Sequence, residues 1–197
     1  MPNISDLLTT NTANIATNTA AVANSPGAWT LIASVTADSD SYAALSNIFS
    51  DTYVYYRIVC TDVFSPDANN SDLHMQITQN TSTWLNLSYR YNIAYTQSSQ
   101  NEEYTSNTAL FYERMGQADN SLQKIHFWMD AFNPHGNTVK VFRFSGAGRT
   151  SNDPNTQINP MDAWMTKSDS GTALKGVRFY SSNNISGTFK AYGLALS

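Results

Sequence analysis

Three histidines, one cysteine and fifteen carboxylates are the residues of this chain that could do acid–base, nucleophilic or metal chemistry. His74, His126 and His135 form no pair at metal-ligand spacing, and Cys60 stands alone. His126 alternates outward in its strand pattern and His135 falls in a turn, so both read as surface residues. Gly146-Ala147-Gly148-Arg149 lacks a following Lys-Ser/Thr and opens no helix, which makes it a turn rather than a phosphate cradle. Glycoside hydrolysis needs two converging carboxylates. Glu102 and Glu103 are adjacent, hence on opposite faces of any strand, and belong to the polar loop 96–107. Asp38 with Asp40, and Asp67 with Asp72, offer oxygen ligands, but neither completes a calcium-loop pattern. Asp130, between outward Trp128 and Phe132, reads either as a site residue or as the rim of a subunit contact. The residues imply no metal, no cofactor and no enzyme.

Aromatic side chains carry the stronger signal. Tyr53, Tyr55, Trp84, Trp128, Phe132 and Trp164 are candidates for rings that leave the core. Such rings either stack on sugars or fill the contact between subunits, where Trp and Tyr are also enriched. An outward pair on a strong strand (Tyr53 with Tyr55, Trp128 with Phe132) is what a trimeric head would bury.

The elements that must position these residues have a period of two. Residues 29–35 open a strand. In 52–63, Val54, Tyr56, Ile58 and Cys60 share one face. Segment 72–79 alternates, with Leu73, Met75 and Ile77 inward and His74, Gln76 and Thr78 outward. Segments 87–95, 124–133 and 138–145 come next, the last two separated by the turn Pro134-His135-Gly136-Asn137. Residues 176–181 and 187–196 form the last strand pair, with Ser182-Asn183-Asn184 as the turn between them. Eight to ten short strands with polar turns predict an antiparallel β-sandwich of the jelly-roll type, with a barrel as the alternative.

Before residue 28 the period is seven. Leu8, Ile15 and Val22 recur at one heptad position, and Asn11-Thr12 and Asn18-Thr19 at the next seam position. A repeat of this kind is what a left-handed bundle of parallel helices requires, and polar seam residues set register and copy number there. The alternative is an extended Thr/Asn/Ala-rich docking arm, since Thr and Asn are weak helix formers. Ser25-Pro26-Gly27 then breaks the chain. The expected organisation is a stalk or arm at 1–24, a linker at 25–27 and a β-sandwich head at 28–197.

The heptads resemble the asparagine-bearing trimeric coiled coils of bacteriophage fibres and trimeric autotransporter stalks. That resemblance covers residues 1–24. It implies a homotrimer in which Leu8, Ile15 and Val22 form apolar layers. It also implies that Asn11 and Asn18 point inward and hold chloride or a similar anion on the three-fold axis. The end of the chain, Val177-Arg178-Phe179-Tyr180 followed by Gly187-Thr188-Phe189-Lys190-Ala191-Tyr192-Gly193, is similar to closing strands of β-rich bacteriophage virion proteins. Trp29-Thr30-Leu31-Ile32-Ala33-Ser34-Val35-Thr36 is similar to their first strand. Together these imply a short homotrimeric fibre or capsid decoration protein, anchored by its N-terminus to other virion proteins. The alternative is a module that binds a host surface glycan.

Composition narrows the classes further. The 197 residues carry a formal charge of −4, and only 13% are charged, so neither nucleic acid nor an anionic membrane is an expected partner. One cysteine excludes an internal disulfide. Met1-Pro2-Asn3 begins no basic, apolar leader, and no apolar stretch is long enough to span a bilayer. The expectation is a protein made in the host cytoplasm and carried in the virion.

Overall fold

The computed structural model describes residues 27–66, 71–79, 84–85, 89–95, 101–106, 109–115, 124–136, 140–149, 158–167 and 173–194. The expected seam, Leu8, Asn11, Ile15, Asn18 and Val22, lies outside the described residues. The first five strands are β1 (Trp29–Leu45), β2 (Tyr55–Phe64), β3 (Ser71–Thr78), β4 (Tyr89–Tyr95) and β5 (Asn101–Ser106). They continue with β6 (Ala109–Met115), β7 (Ile125–Phe132), β8 (Lys140–Arg149), β9 (Ile158–Lys167) and β10 (Gly176–Leu194). The described protein is mainly β, and every strand pair is antiparallel.

The strands form a single hydrogen-bonded sheet in the order β5-β4-β9-β8-β7-β2-β10-β3-β6, and β1 pairs with β10 beside this path. β10 is the spine. Its C-terminal half pairs with β2 (Leu194 opposite Tyr55), and its N-terminal half pairs with β3 (Val177 opposite Ile77). Two wings therefore spread from one strand.

β10 is folded over. Phe179 and Phe189 lie ten positions apart, about 33 Å along a straight strand, yet their rings stack with centroids 5.3 Å apart. The strand must bend between them, and the bend contains Ser182-Asn183-Asn184. These residue types predict a turn between two strands; they mark a bend in one continuous strand instead. β1 bends with its partner, its register shifting at Ala37, Asp40 and Tyr42. Ser39 sits at φ 59° in that bend, its N–H donating to the Ser186 hydroxyl at 2.8 Å. Gly187 takes φ +146°, and a Cβ there would lie 3.0 Å from the Val63 Cα, so only glycine fits.

Folding the ribbon brings the inner faces of the two wings together. Phe127 of β7 meets Phe179 edge-on at 5.6 Å. Ile58, Cys60, Leu73, Met75, Ile77, Met129, Phe142, Phe144 and Ala191 complete the buried core. Tyr56 is fully buried but keeps its hydroxyl satisfied, accepting from Ser50 N–H and donating to the Ser50 carbonyl, both at 2.8 Å. The inward sets of β2, β3 and β7 agree with the alternation in the sequence, apart from Val54, which precedes β2 and is exposed.

Four local expectations are corrected. β1 runs ten residues beyond Val35, because β10 supplies it a partner along its whole length. Gly146–Arg149 is strand, not turn, since both β7 and β9 pair with it. Glu102 and Glu103 lie in β5, opposite Ile93 and Asn92, rather than in a loop. β5 ends the sheet order, and charged residues are at home on such an edge. Gln76 and Thr78 are buried rather than outward, because Arg178 lies on Gln76 and residues 84–85 bond back to Ile77 and Thr78.

Lys140 is the outlier of the core. It shares the inner face of β8 with Phe142 and Phe144, is buried, and its Nζ has no hydrogen-bond partner among the described residues. Burial pushes its amine below the ordinary lysine value. The unfolded chain therefore holds the proton more tightly, and stability rises with pH from the lowered folded value up to about 10.4. Lys140→Met is expected to raise stability by about 1–3 kcal/mol near neutral pH, read from the urea midpoint, and to flatten that alkaline rise. An unchanged midpoint would mean that the ammonium reaches water.

Candidate functional site

The outer face of the larger wing gathers aromatic rings around one ion pair. Arg57 stands opposite Asp130 in the β2–β7 register, so the two side chains leave the sheet on the same side. The guanidinium donates from Nε to Asp130 Oδ1 at 2.6 Å and from Nη2 to Oδ2 at 2.8 Å. This is the planar bidentate geometry that arginine, but not lysine, can make. Asp130 is only 5% exposed. The bond to Asp130 pushes the Arg57 guanidinium above its ordinary value. Nη2 also reaches the Tyr55 hydroxyl at 3.3 Å. Burial, then the Asp130 carboxylate, push that phenol above its usual range.

Rings surround the pair. The Arg57 Cζ lies 5.3 Å from the Trp29 centroid and 5.9 Å from that of Trp128. Trp29 contacts Tyr55 at 5.2 Å, and Tyr55 contacts Phe132 at 4.9 Å, both tilted. Trp29, Trp128 and Phe132 are each 41% exposed. β1, β2 and β7 thus present a platform of four rings with a clamped guanidinium in its middle. In the neighbouring positions, Arg143 of β8 stands opposite Asp130, and Trp164 of β9 opposite Arg143.

A second cluster lies on the smaller wing. Arg178 is within 5.4 Å of the Tyr42, Trp84 and Tyr180 ring centroids and donates through Nε to Gln76 Oε1 at 2.9 Å. His74 stacks on Tyr180 at 5.4 Å. Here an amide, not a carboxylate, receives the Nε bond.

Of the rings singled out in the sequence, Tyr55, Trp128 and Phe132 come close together, Trp84 joins the other cluster, and Trp164 is placed by register alone. Tyr53 turns the other way. It packs on the core beside Tyr56 at 5.9 Å, over Gly193, where a Cβ would lie 2.5 Å from its ring. Asp130 belongs to the larger cluster, but as the buried clamp of Arg57. Sequence reasoning misses Trp29, Arg57, Tyr42, Arg178 and Tyr180. Arg57 shares the parity of Tyr55, which is a usable signal; the pairing of β1 with β10 and of β2 with β7 is not readable locally.

Cys60 is buried, and burial pushes its thiol well up, so it is not a ready nucleophile. Among the described residues no three His, Cys, Asp or Glu side chains converge on a metal-sized site. No helix among them is long and apolar enough to cross a membrane.

The described region is thus an antiparallel β protein with two arginine-centred aromatic surfaces. No family model, curated protein or solved structure matches the chain.

Proposed function

We propose that this chain is a structural component of a bacteriophage particle, a short homotrimeric fibre or decoration protein. Its N-terminal 24 residues form the trimeric stalk or docking arm that joins it to other virion proteins. Residues 28–197 form a jelly-roll-like sandwich head. The observation that carries the reading is the pair of asparagine-bearing heptads, Leu8 to Asn14 and Ile15 to Ala21, placed directly before a β region. The likeness of the chain's end to virion closing strands supports it. In the fold, that end is β10, the strand on which β1, β2 and β3 all depend.

The test is the absolute mass of the full chain in solution by light scattering. Three times the chain mass of 21.7 kDa supports the fibre reading, and a monomer overturns it. The seam makes a second prediction. Changing Asn11 and Asn18 together to isoleucine is expected to tighten association while widening copy number, seen as a mixture of masses rather than a single trimer. Dissociation of that double variant would remove the coiled coil. With the wild-type asparagines, the axis is the place for chloride or a similar anion.

A second reading, a module that binds host glycans, is favoured by the exposed rings around Arg57. The two readings are compatible in one particle.

A further inference from the structure

We infer that the Arg57 platform is a subsite for a neutral pyranose sugar, which stacks its apolar face on Trp29 and Trp128 and accepts hydrogen bonds from Arg57 Nη1. The inference rests on the glycan-binding reading and assigns it to particular atoms. Three features converge. First, Trp29 and Trp128 flank the guanidinium and are both exposed, so the rings offer apolar area without leaving the sheet. Sugars with several C–H bonds on one face pack on such rings.

Second, Arg57 uses only Nε and Nη2 within the protein. Its bonds go to Asp130 and Tyr55, and Nη1 makes none among the described residues. The side chain is 37% exposed, and its guanidinium carbon lies 5.3 and 5.9 Å from the centroids of two exposed indoles. The bidentate clamp fixes the direction in which the Nη1 donors point, which lowers the entropy lost when a ligand accepts from them.

Third, the charge at the centre is already matched. Asp130 takes Arg57 in a one-to-one pair, so the guanidinium's own charge is matched while its remaining donors stay available. Donors held by a matched ion pair among rings suit hydroxyl and ring oxygens. A second copy of the chain is the poorer occupant. Lys190 is exposed in the strand position bordering the platform, and lysine is depleted from the centres of protein interfaces.

The experiment titrates the full chain with cellohexaose, laminarihexaose and mannohexaose, and with an acidic hexauronate, following tryptophan fluorescence. At least one neutral hexasaccharide is expected to bind and to change the signal. Trp128→Ala and Trp29→Ala, both at exposed positions, are each expected to weaken that binding about tenfold. Arg57→Lys, which lacks the Nη1 edge, is expected to weaken it as well. Trp84→Ala, on the smaller wing, is expected to leave it unchanged.

Neutral-sugar binding that Trp84→Ala abolishes and the other two tryptophan variants preserve would overturn the site while leaving the glycan reading in place. Preference for the hexauronate would overturn the neutral ligand class. Failure of all four sugars to bind would remove both the subsite and the glycan reading; the particle role stands or falls separately on the mass measurement.

Discussion

Phe179→Ala is expected to cost about 3–5 kcal/mol, the usual loss on emptying a phenylalanine site in a packed core. Phe179 is fully buried on β10, stacked on Phe189 at 5.3 Å and edge-on to Phe127 at 5.6 Å. These contacts join three places: the two halves of the bent strand and the far wing through β7. A cavity there cannot be closed by a small shift of one side chain, because its walls belong to different parts of the sheet. The loss should appear in urea as a lower midpoint with an unchanged slope. Phe179→Leu, which keeps most of the volume, should lose far less. A Phe179→Ala variant as stable as the wild type would mean that β10 is not folded as described. Stability of this order is a large share of what a single domain has, so the variant is also expected to be poorly soluble.

The second large effect is expected at the ion pair. Arg57→Met removes the cation and leaves the Asp130 carboxylate 5% exposed with its two strongest donors gone. Breaking a buried pair from one side costs about 3–5 kcal/mol. Water entering where the partly exposed guanidinium stood reduces this, and about 2–3 kcal/mol is expected. Asp130→Leu together with Arg57→Met should recover most of that loss, because two apolar side chains leave no charge to solvate. A double-mutant cycle measured by urea unfolding reads this coupling directly. Additive losses would show that the two groups do not act as a pair. The same variants separate stability from recognition, since the double variant is expected to fold well and still lose the Nη1 donors.

Much of the fold was legible in single segments. Tyr56, Ile58 and Cys60 alternate with Tyr55, Arg57 and Val59, and burial tracks that alternation because a strand has a side-chain period of two. The same rule placed Ile125, Phe127, Met129 and Ala131 inside and left Trp128 and Phe132 outside. It failed at Gln76 and Thr78, where the chain itself returns to cover the second face. Residue type misled at Gly146–Arg149, where a glycine-rich stretch that suits a turn is held straight by a strand on each side.

The site was legible only in fragments. Tyr55, Trp128, Phe132 and Asp130 could be found by parity and residue type, but Trp29 and Arg57 entered through pairings more than 70 residues apart, as the Arg57–Asp130 bond shows. Tyr53 shows the converse. It looks equivalent to Tyr55 in the sequence, yet it precedes β2 and turns onto Gly193 instead of keeping to the strand alternation.

By itself the sequence determined the local features: the change of period at Ser25-Pro26-Gly27, the β character of the described part of residues 28–197, and which face of β2 and β7 is apolar. These depend on backbone geometry and on residues a few positions apart. Tertiary structure decided that β10 bends rather than breaks, that its two halves carry two wings, and that rings from β1, β2 and β7 meet over one clamped arginine. Those outcomes depend on which distant strands pair and in what register, and on packing that no single segment contains.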